Sequence, residues 1–366
     1  MKVLIATDTV GGVFTYTSEL GAELEAGGDE VVVATMGPAP REEQRRRLPA
    51  RVHESEFRLE WMEDPWDDVA AAGEWLLSLA EEERPDVVHL CSYAHGALPF
   101  EAPKVLVAHS CVLSWWRAVH GCPAPAEWDR YRQEMSKGLR GADVVVAPTR
   151  AMLAEVERDH ELRPGSGTVI NNGSSTPPMG LKGPYIDRNR PVVGGERPLV
   201  VGSGRFWDPA KNLAALDAAA EGLAWPVVVA GEMGDAAPTH ARSAGLLDRA
   251  ALAELRRGAA IYAAPAVYEP FGLGILEAAR DRCALVLGDI PSLRELWEGA
   301  AVFVDPRDER RLRWALEELI EDGTRREELA ARAQRRAAGY GVARSARAYR
   351  RLYDRLRSVV HQGVAA

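Results

Sequence analysis

The chain has 366 residues, of which 46% are hydrophobic and 27% charged, and its formal net charge is −9 at neutral pH. That length suggests two domains, and the composition supplies enough apolar residues for two cores under a charged surface. The acidic balance argues against a general nucleic-acid binder, so an anionic ligand would need a locally positive site.

Residues 2–6 form a short apolar run of the kind that makes a buried parallel strand. A loop over 7–13 carries Gly11 and Gly12, and a helix from about 14 to 26 leads to a second strand at 31–34. This βαβ unit puts its loop at a strand's C-terminal end, where ligands bind in open α/β sheets. The loop is not Gly-x-Gly-x-x-Gly, so a dinucleotide fingerprint is missing. Further strands are expected at 86–90, 104–108 and 143–147. His109 directly follows the second of these at its ligand-facing edge, and His95 follows the first as a weaker candidate for ligand contact. Trp115 and Trp116 are adjacent and project differently from a helix, which directs one to the core and leaves the other to reach the cleft, with packing the default for both. A turn-rich stretch from Asn171-Asn172-Gly173 through Pro177-Pro178 to Gly194-Gly195 reads as the connection between domains.

Strand patterning restarts at 198–202 and ends in the glycine turn Gly202-Ser203-Gly204. The segment Arg205-Phe206-Trp207-Asp208-Pro209-Ala210-Lys211-Asn212 then opens a helix through Leu213, Leu216 and Ala219. Arg205 and Lys211 are two cations at a strand-to-helix turn, suited to clamping phosphate oxygens. Strands follow at 226–230, 261–265, 284–288 and 301–306, and the alternation argues for a doubly wound parallel sheet. Phe271-Gly272-Leu273-Gly274 forms a turn whose N–H groups and helix dipole would favour an anion. Pro270 suits the first helical position, which leaves Glu269 just ahead of the helix and Glu277 about two turns inside it. Residues 309–357 have a helical pattern in which Arg is interleaved with Glu, read as a solvated face with internal ion pairs.

The stretches Gly204-Arg205-Phe206 to Lys211-Asn212 and Glu269-Pro270-Phe271-Gly272 to Glu277 resemble the donor-site signatures of family 4 retaining glycosyltransferases. That resemblance implies an α/β chain of GT-B fold, with two Rossmann-like domains facing across a cleft. The acceptor-side domain would span 1–173, the linker 174–197 and the donor domain 198–344, with a C-terminal helix at about 345–366 packing back on the first domain. The resemblance also implies that Arg205 and Lys211 hold the diphosphate of a nucleotide-sugar donor. Glu277 would bind ribose hydroxyls and Glu269 hydroxyls of the transferred sugar, with the backbone of Phe271, Gly272, Leu273 and Gly274 near sugar and phosphate. Gly12 is carried over to the donor diphosphate, His109 to the donor sugar and Leu247 to the base. His109, Arg205, Lys211 and Glu269 are the residues expected to take part in catalysis.

The expected reaction is a metal-independent, front-face transfer with retention to a sugar, glycan or small-molecule hydroxyl. No Asp-x-Asp triplet and no His/Cys cluster with ligand spacing occurs, so neither metal nor cofactor is expected. The alternatives are a GT-B sugar binder without turnover, a phosphorylase or epimerase on the same scaffold and, more distantly, a nicotinamide-dependent oxidoreductase. Cys91, Cys111, Cys122 and Cys283 are scattered without Cys-x-x-Cys spacing, and no apolar run is long enough to cross a bilayer. Both features lead to the expectation of a cytoplasmic protein.

Overall fold

In this computed structural model, which describes residues 1–175, 198–235 and 237–364, thirteen strands form two separate sheets in which every pairing is parallel. The chain divides into two units, Met1–Ser175 with Gly341–Ala366, and Thr176–Tyr340. Of the linker expected over 174–197, residues 176–197 lie outside the described residues.

The first unit contains β1 (Lys2–Asp8), β2 (Glu30–Met36), β3 (Arg51–Glu54), β4 (Val87–Leu90), β5 (Lys104–Val107), β6 (Val144–Ala147) and β7 (Thr168–Val169), in spatial order β3-β2-β1-β4-β5-β6-β7. β1 pairs with β2 from Lys2↔Glu30 to Asp8↔Met36. Alternate residues feed two layers. Val3, Ile5, Val31 and Val33 pack with Tyr16, Leu20 and Leu24 of the helix Gly11–Ala26. Leu4, Ala6, Val32 and Ala34 pack with Leu76 and Leu79 of the helix Trp66–Glu83. Cover on both faces is why these strands read as unbroken apolar runs.

The helix Val342–Val364 belongs to the first unit and inserts Tyr349, Leu352 and Tyr353 into its first layer. Gly341 bridges to Ser174, and Ser345 Oγ donates to Asn171 O at 2.7 Å, so the chain rejoins this unit ahead of position 345. The helical pattern over 309–357 proves to be three helices, Glu309–Glu321, Gly323–Ala337 and Val342–Val364. Asp322 makes the first break by accepting the Arg325 N–H at 2.9 Å, as an N-cap does.

The second unit contains β8 (Leu199–Ser203), β9 (Val227–Ala230), β10 (Arg242–Gly245), β11 (Ala259–Ala264), β12 (Ala284–Gly288) and β13 (Val302–Val304), ordered β10-β9-β8-β11-β12-β13. Period two again splits the core. Val200, Val229, Ile261 and Val286 face Leu216, Leu312 and Leu316, whereas Val201, Tyr262, Leu285 and Leu287 face Ile275, Leu276, Leu293 and Trp297. Strand order reverses direction between β8 and β11, which makes the carboxyl ends of these two strands the switch point where open α/β sheets bind ligands. Among the described residues, no helix is long and apolar enough to cross a membrane.

Candidate active site

A small cavity of about 40 Å³ lies at that switch point. Its wall includes Ser203 from the end of β8, Tyr262 to Ala266 from the end of β11, Lys211, Glu269, Gly272 and Gly274. The volume is far below the several hundred Å³ that enclose a drug-sized ligand, so this cavity alone does not hold one.

Local chemistry fixes the turn that presents Lys211. Asp208 Oδ1 accepts the Ala210 N–H at 2.9 Å, and Pro209 opens the short 3₁₀ turn Pro209–Lys211. Asn212 takes a left-handed conformation and its amide donates to Pro265 O at 2.9 Å and Pro306 O at 2.7 Å. Val267 N–H donates to Ala210 O at 3.0 Å. The turn is thereby stitched to the segment that leaves β11, which also carries Glu269. Lys211 Nζ donates to Glu269 Oε2 at 2.6 Å, and both side chains keep about a fifth of their surface in solvent. Ser292 Oγ holds the Glu269 carbonyl at 2.6 Å.

The helix carrying Glu277 starts later than the sequence suggests. It spans Leu273–Arg280, with Gly272 as its N-cap at φ 83°, so Pro270 is not its first residue and Glu277 lies little more than one turn inside. The left-handed conformation at Gly272 delays the start, because only there can the chain turn into the helix axis without a Cβ penalty. No side chain caps this end, and the first intrahelical bond is Leu276 N–H to Gly272 O. The N–H groups of Leu273, Gly274 and Ile275 therefore have no intrahelical acceptor.

Beneath this helix end, Tyr262 is 1% exposed. Its hydroxyl shares a hydrogen bond of 2.8 Å with Ser203 Oγ. Burial pushes the phenol up to about 12; Ser203 and Arg256 oppose the rise, while Glu269 and Glu277 add to it. A Cβ on Gly274 would lie 2.9 Å from that hydroxyl, so the close approach of helix to strand requires glycine there.

The structure thus brings Lys211, Glu269, Gly272 and Gly274 to one cavity, and Arg205, Glu277 and Leu247 are not part of its wall. Arg205 lies over the Trp207 ring, 5.3 Å from its centroid. Glu277 pairs with Arg256 at 3.0 Å. Leu247 occupies the loop between β10 and the helix Arg249–Gly258. Phe271 and Leu273 pack into the core that covers β11 and β12. Ser203, Tyr262 and Arg256 were not singled out from sequence; period two within the strand at 261–265 was the available signal for Tyr262.

In the first unit, Gly12 lies in the first turn of the helix Gly11–Ala26, not in a loop, and no side chain caps that end. Gly11, with φ 63°, makes the turn. His109 follows β5, and its ring meets Tyr16 edge-on at 4.4 Å. Burial pushes this imidazole down to about 3, and its Nε2 is buried without a hydrogen-bond partner among the described residues. His95 is buried, with its ring nitrogens bonded to Ser92 Oγ at 2.7 Å and Val69 O at 3.0 Å. Trp115 and Trp116 are both half-buried and pack edge-on at 6.2 Å, so neither is a dedicated core residue.

Two family models divide the chain between them: Glycosyltransferase Family 4 matches residues 10–176 and Glycosyl transferases group 1 matches residues 194–336. The chain is a family 4-type glycosyltransferase. No curated protein matches its sequence. Solved structures show the GT-B fold shared by this transferase. Sucrose-phosphate synthase (tll1590) from Thermosynechococcus elongatus has 17% identity and a TM-score of 0.77, with 98% of this chain and 100% of that chain covered. Anabaena Alr3699/HepE in complex with UDP and glucose has 17% identity and a TM-score of 0.74, with 97% and 99% covered. A glycosyltransferase from Rickettsia africae ESF-5 has 14% identity and a TM-score of 0.72, with 97% and 98% covered.

Proposed function

We propose that this glycosyltransferase moves a sugar from a nucleotide-diphosphate-sugar donor to a hydroxyl acceptor, without a metal and with retention of anomeric configuration. The observation that carries the reading is the Lys211–Glu269 pair, 2.6 Å apart, beside an uncapped helix N-terminus at the switch point of the second unit. A cation and unsatisfied N–H groups stabilise the charge that develops on a leaving diphosphate. A carboxylate beside them accepts hydrogen bonds from sugar hydroxyls. Binding of the donor exchanges the lysine–carboxylate contact for contacts to phosphate and sugar. Anabaena HepE was crystallised with UDP and with UDP-glucose, which supports a nucleotide sugar as donor class.

In this reading Arg205 joins Lys211 at the diphosphate once its guanidinium leaves the Trp207 ring. Glu277 receives the ribose, Leu247 lies toward the base, and the backbone from Phe271 to Gly274 meets sugar and phosphate. Gly12, in an uncapped helix end, and His109, a neutral imidazole with an unused nitrogen, are the donor contacts that the family resemblance suggests for the first unit. The departing phosphate oxygen takes the acceptor's proton on the same face. The four free cysteines support a cytoplasmic setting.

The test is nucleotide release from UDP-, GDP- and ADP-sugars over a panel of sugar and small-molecule acceptors, with and without EDTA, and with the product anomer assigned by NMR. Transfer with retention that survives EDTA is expected. Inversion of configuration, or donor binding without transfer to any acceptor, would defeat the proposal.

A further inference from the structure

Glu269 is partnered by the lysine of its own cavity, whereas Glu277 is partnered by a residue from a neighbouring helix. Arg256 lies in the last turn of the helix Arg249–Gly258 and is 4% exposed, while the adjacent Arg257 is exposed to solvent. Its Nε donates to Asp281 Oδ2 at 2.9 Å, and its Nη1 lies 3.0 Å from Glu277 Oε2. Glu277 and Asp281 are four residues apart and so fall on one face of the helix Leu273–Arg280 and its C-cap. The two contacts differ in kind. The bond to Asp281 is well aligned, whereas Nη1 has no aligned hydrogen-bond acceptor among the described residues, so its contact with Glu277 is ionic.

This asymmetry matters because a buried guanidinium is costly unless a well-aligned carboxylate compensates its charge. Asp281 supplies it. The second carboxylate belongs to the helix whose N-terminus borders the donor cavity, three residues beyond the cavity-lining Gly274. Without a nearby cation, Glu277 and Asp281 together would oppose an anionic ligand at the same helix.

We propose that Arg256 is a positioning residue of the donor site: anchored on Asp281, it holds a buried positive charge beside the Glu277 carboxylate and offsets it, so that ribose hydroxyls and a diphosphate can be held side by side. This inference rests on the reading of Glu277 as the ribose-binding carboxylate. Arg256 touches no ligand itself.

The experiment is calorimetric titration of the full chain with UDP, GDP and ADP, using wild type, Arg256→Met, Arg256→Lys, Glu277→Ala and the double variant Arg256→Met/Glu277→Ala. For the diphosphate that binds wild type most tightly, Arg256→Met should weaken binding about tenfold, because Glu277 is then left without the charge that offsets it beside an anionic ligand. Arg256→Lys should recover most of that loss. In the Glu277→Ala background, Arg256→Met should add nothing, and its effect in turnover assays should fall on KM for the donor and spare kcat. Wild-type affinity in Arg256→Met with lowered thermal stability would overturn the proposal and leave Arg256 as a staple between two helices. Wild-type affinity in Glu277→Ala would overturn the ribose reading itself and the proposal with it. Should Arg256→Met fail to fold, Asp281→Asn loosens the anchor while keeping both Arg256 and Glu277. It should weaken binding severalfold, and unchanged binding there would refute the anchoring role.

Discussion

Substituting Gly274 tests the floor of the cavity at the switch point. A Cβ at this position would lie 2.9 Å from the Tyr262 hydroxyl and 3.5 Å from Ser203 Oγ. Tyr262 is enclosed, and its hydroxyl is tied to Ser203 Oγ at 2.8 Å and Ser203 O at 3.3 Å, so it can yield only by giving up those contacts. Overpacking of this kind costs about 1–3 kcal/mol. Replacing glycine by alanine near a helix start recovers about 0.5 kcal/mol. The net expectation for Gly274→Ala is a loss of about 0.5–2.5 kcal/mol. Tyr262→Phe removes the clashing oxygen and should itself cost about 1 kcal/mol through the lost hydrogen bonds. In the Phe background the remaining nearest contact, at 3.5 Å, is ordinary packing. There Gly274→Ala should be neutral or stabilising by up to about 0.5 kcal/mol. Urea unfolding of the four proteins gives the coupling directly. If Gly274→Ala costs the same in both backgrounds, the close approach of helix to Tyr262 is not what demands glycine.

Other expectations follow from the same geometry. Lys211→Ala should weaken nucleoside-diphosphate affinity about tenfold or more, since it removes the cavity's cation, with circular dichroism unchanged; unaltered affinity would remove Lys211 from the site. Glu269→Gln should lower kcat more than it weakens nucleotide binding, and equal losses in both would contradict a sugar-facing role. Glu60, whose carboxylate accepts the Tyr93 and Ala94 N–H groups, is pushed up to about 7 by burial, with Asp8 adding to the rise against the pull of those two N–H groups. Its folded state binds the proton more tightly than the unfolded chain. Wild type should therefore lose stability relative to Glu60→Gln as pH rises from about 4.5 to 7, by about 3 kcal/mol in all. A stability difference that stays flat over that range would show that burial does not tax this carboxylate.

Strands buried on both faces were the most legible part of the sequence. Lys2–Asp8, Glu30–Met36 and Ala284–Gly288 announce themselves because the interior residues of such a strand all meet a core layer. β3 and β7 were missed for the converse reason: β3 is a half-exposed edge strand of sequence RVHE, and β7 has only two residues. At the site, Lys211 and Glu269 were legible because loop cations and carboxylates beside glycine turns point to anion and hydroxyl binding. Their mutual ion pair was not, since it depends on Asn212 bridging Pro265 and Pro306, residues 53 and 94 positions away. The helix start was misplaced by three residues because Pro270 is a good first residue and sequence alone does not reveal that Gly272 is left-handed. Arg256 gave no signal among the many arginines; only its burial against Glu277 and Asp281 distinguishes it.

The central claim is that the second unit grips a donor diphosphate where β8 and β11 diverge. A crystal structure of the full chain with a bound nucleoside diphosphate tests it most directly. The diphosphate should lie within hydrogen-bonding distance of Lys211 Nζ and of the N–H groups at Leu273 to Ile275, with the lysine drawn away from Glu269 and the ribose at Glu277. A nucleotide bound elsewhere, with Lys211 and Glu269 still joined, would contradict the account.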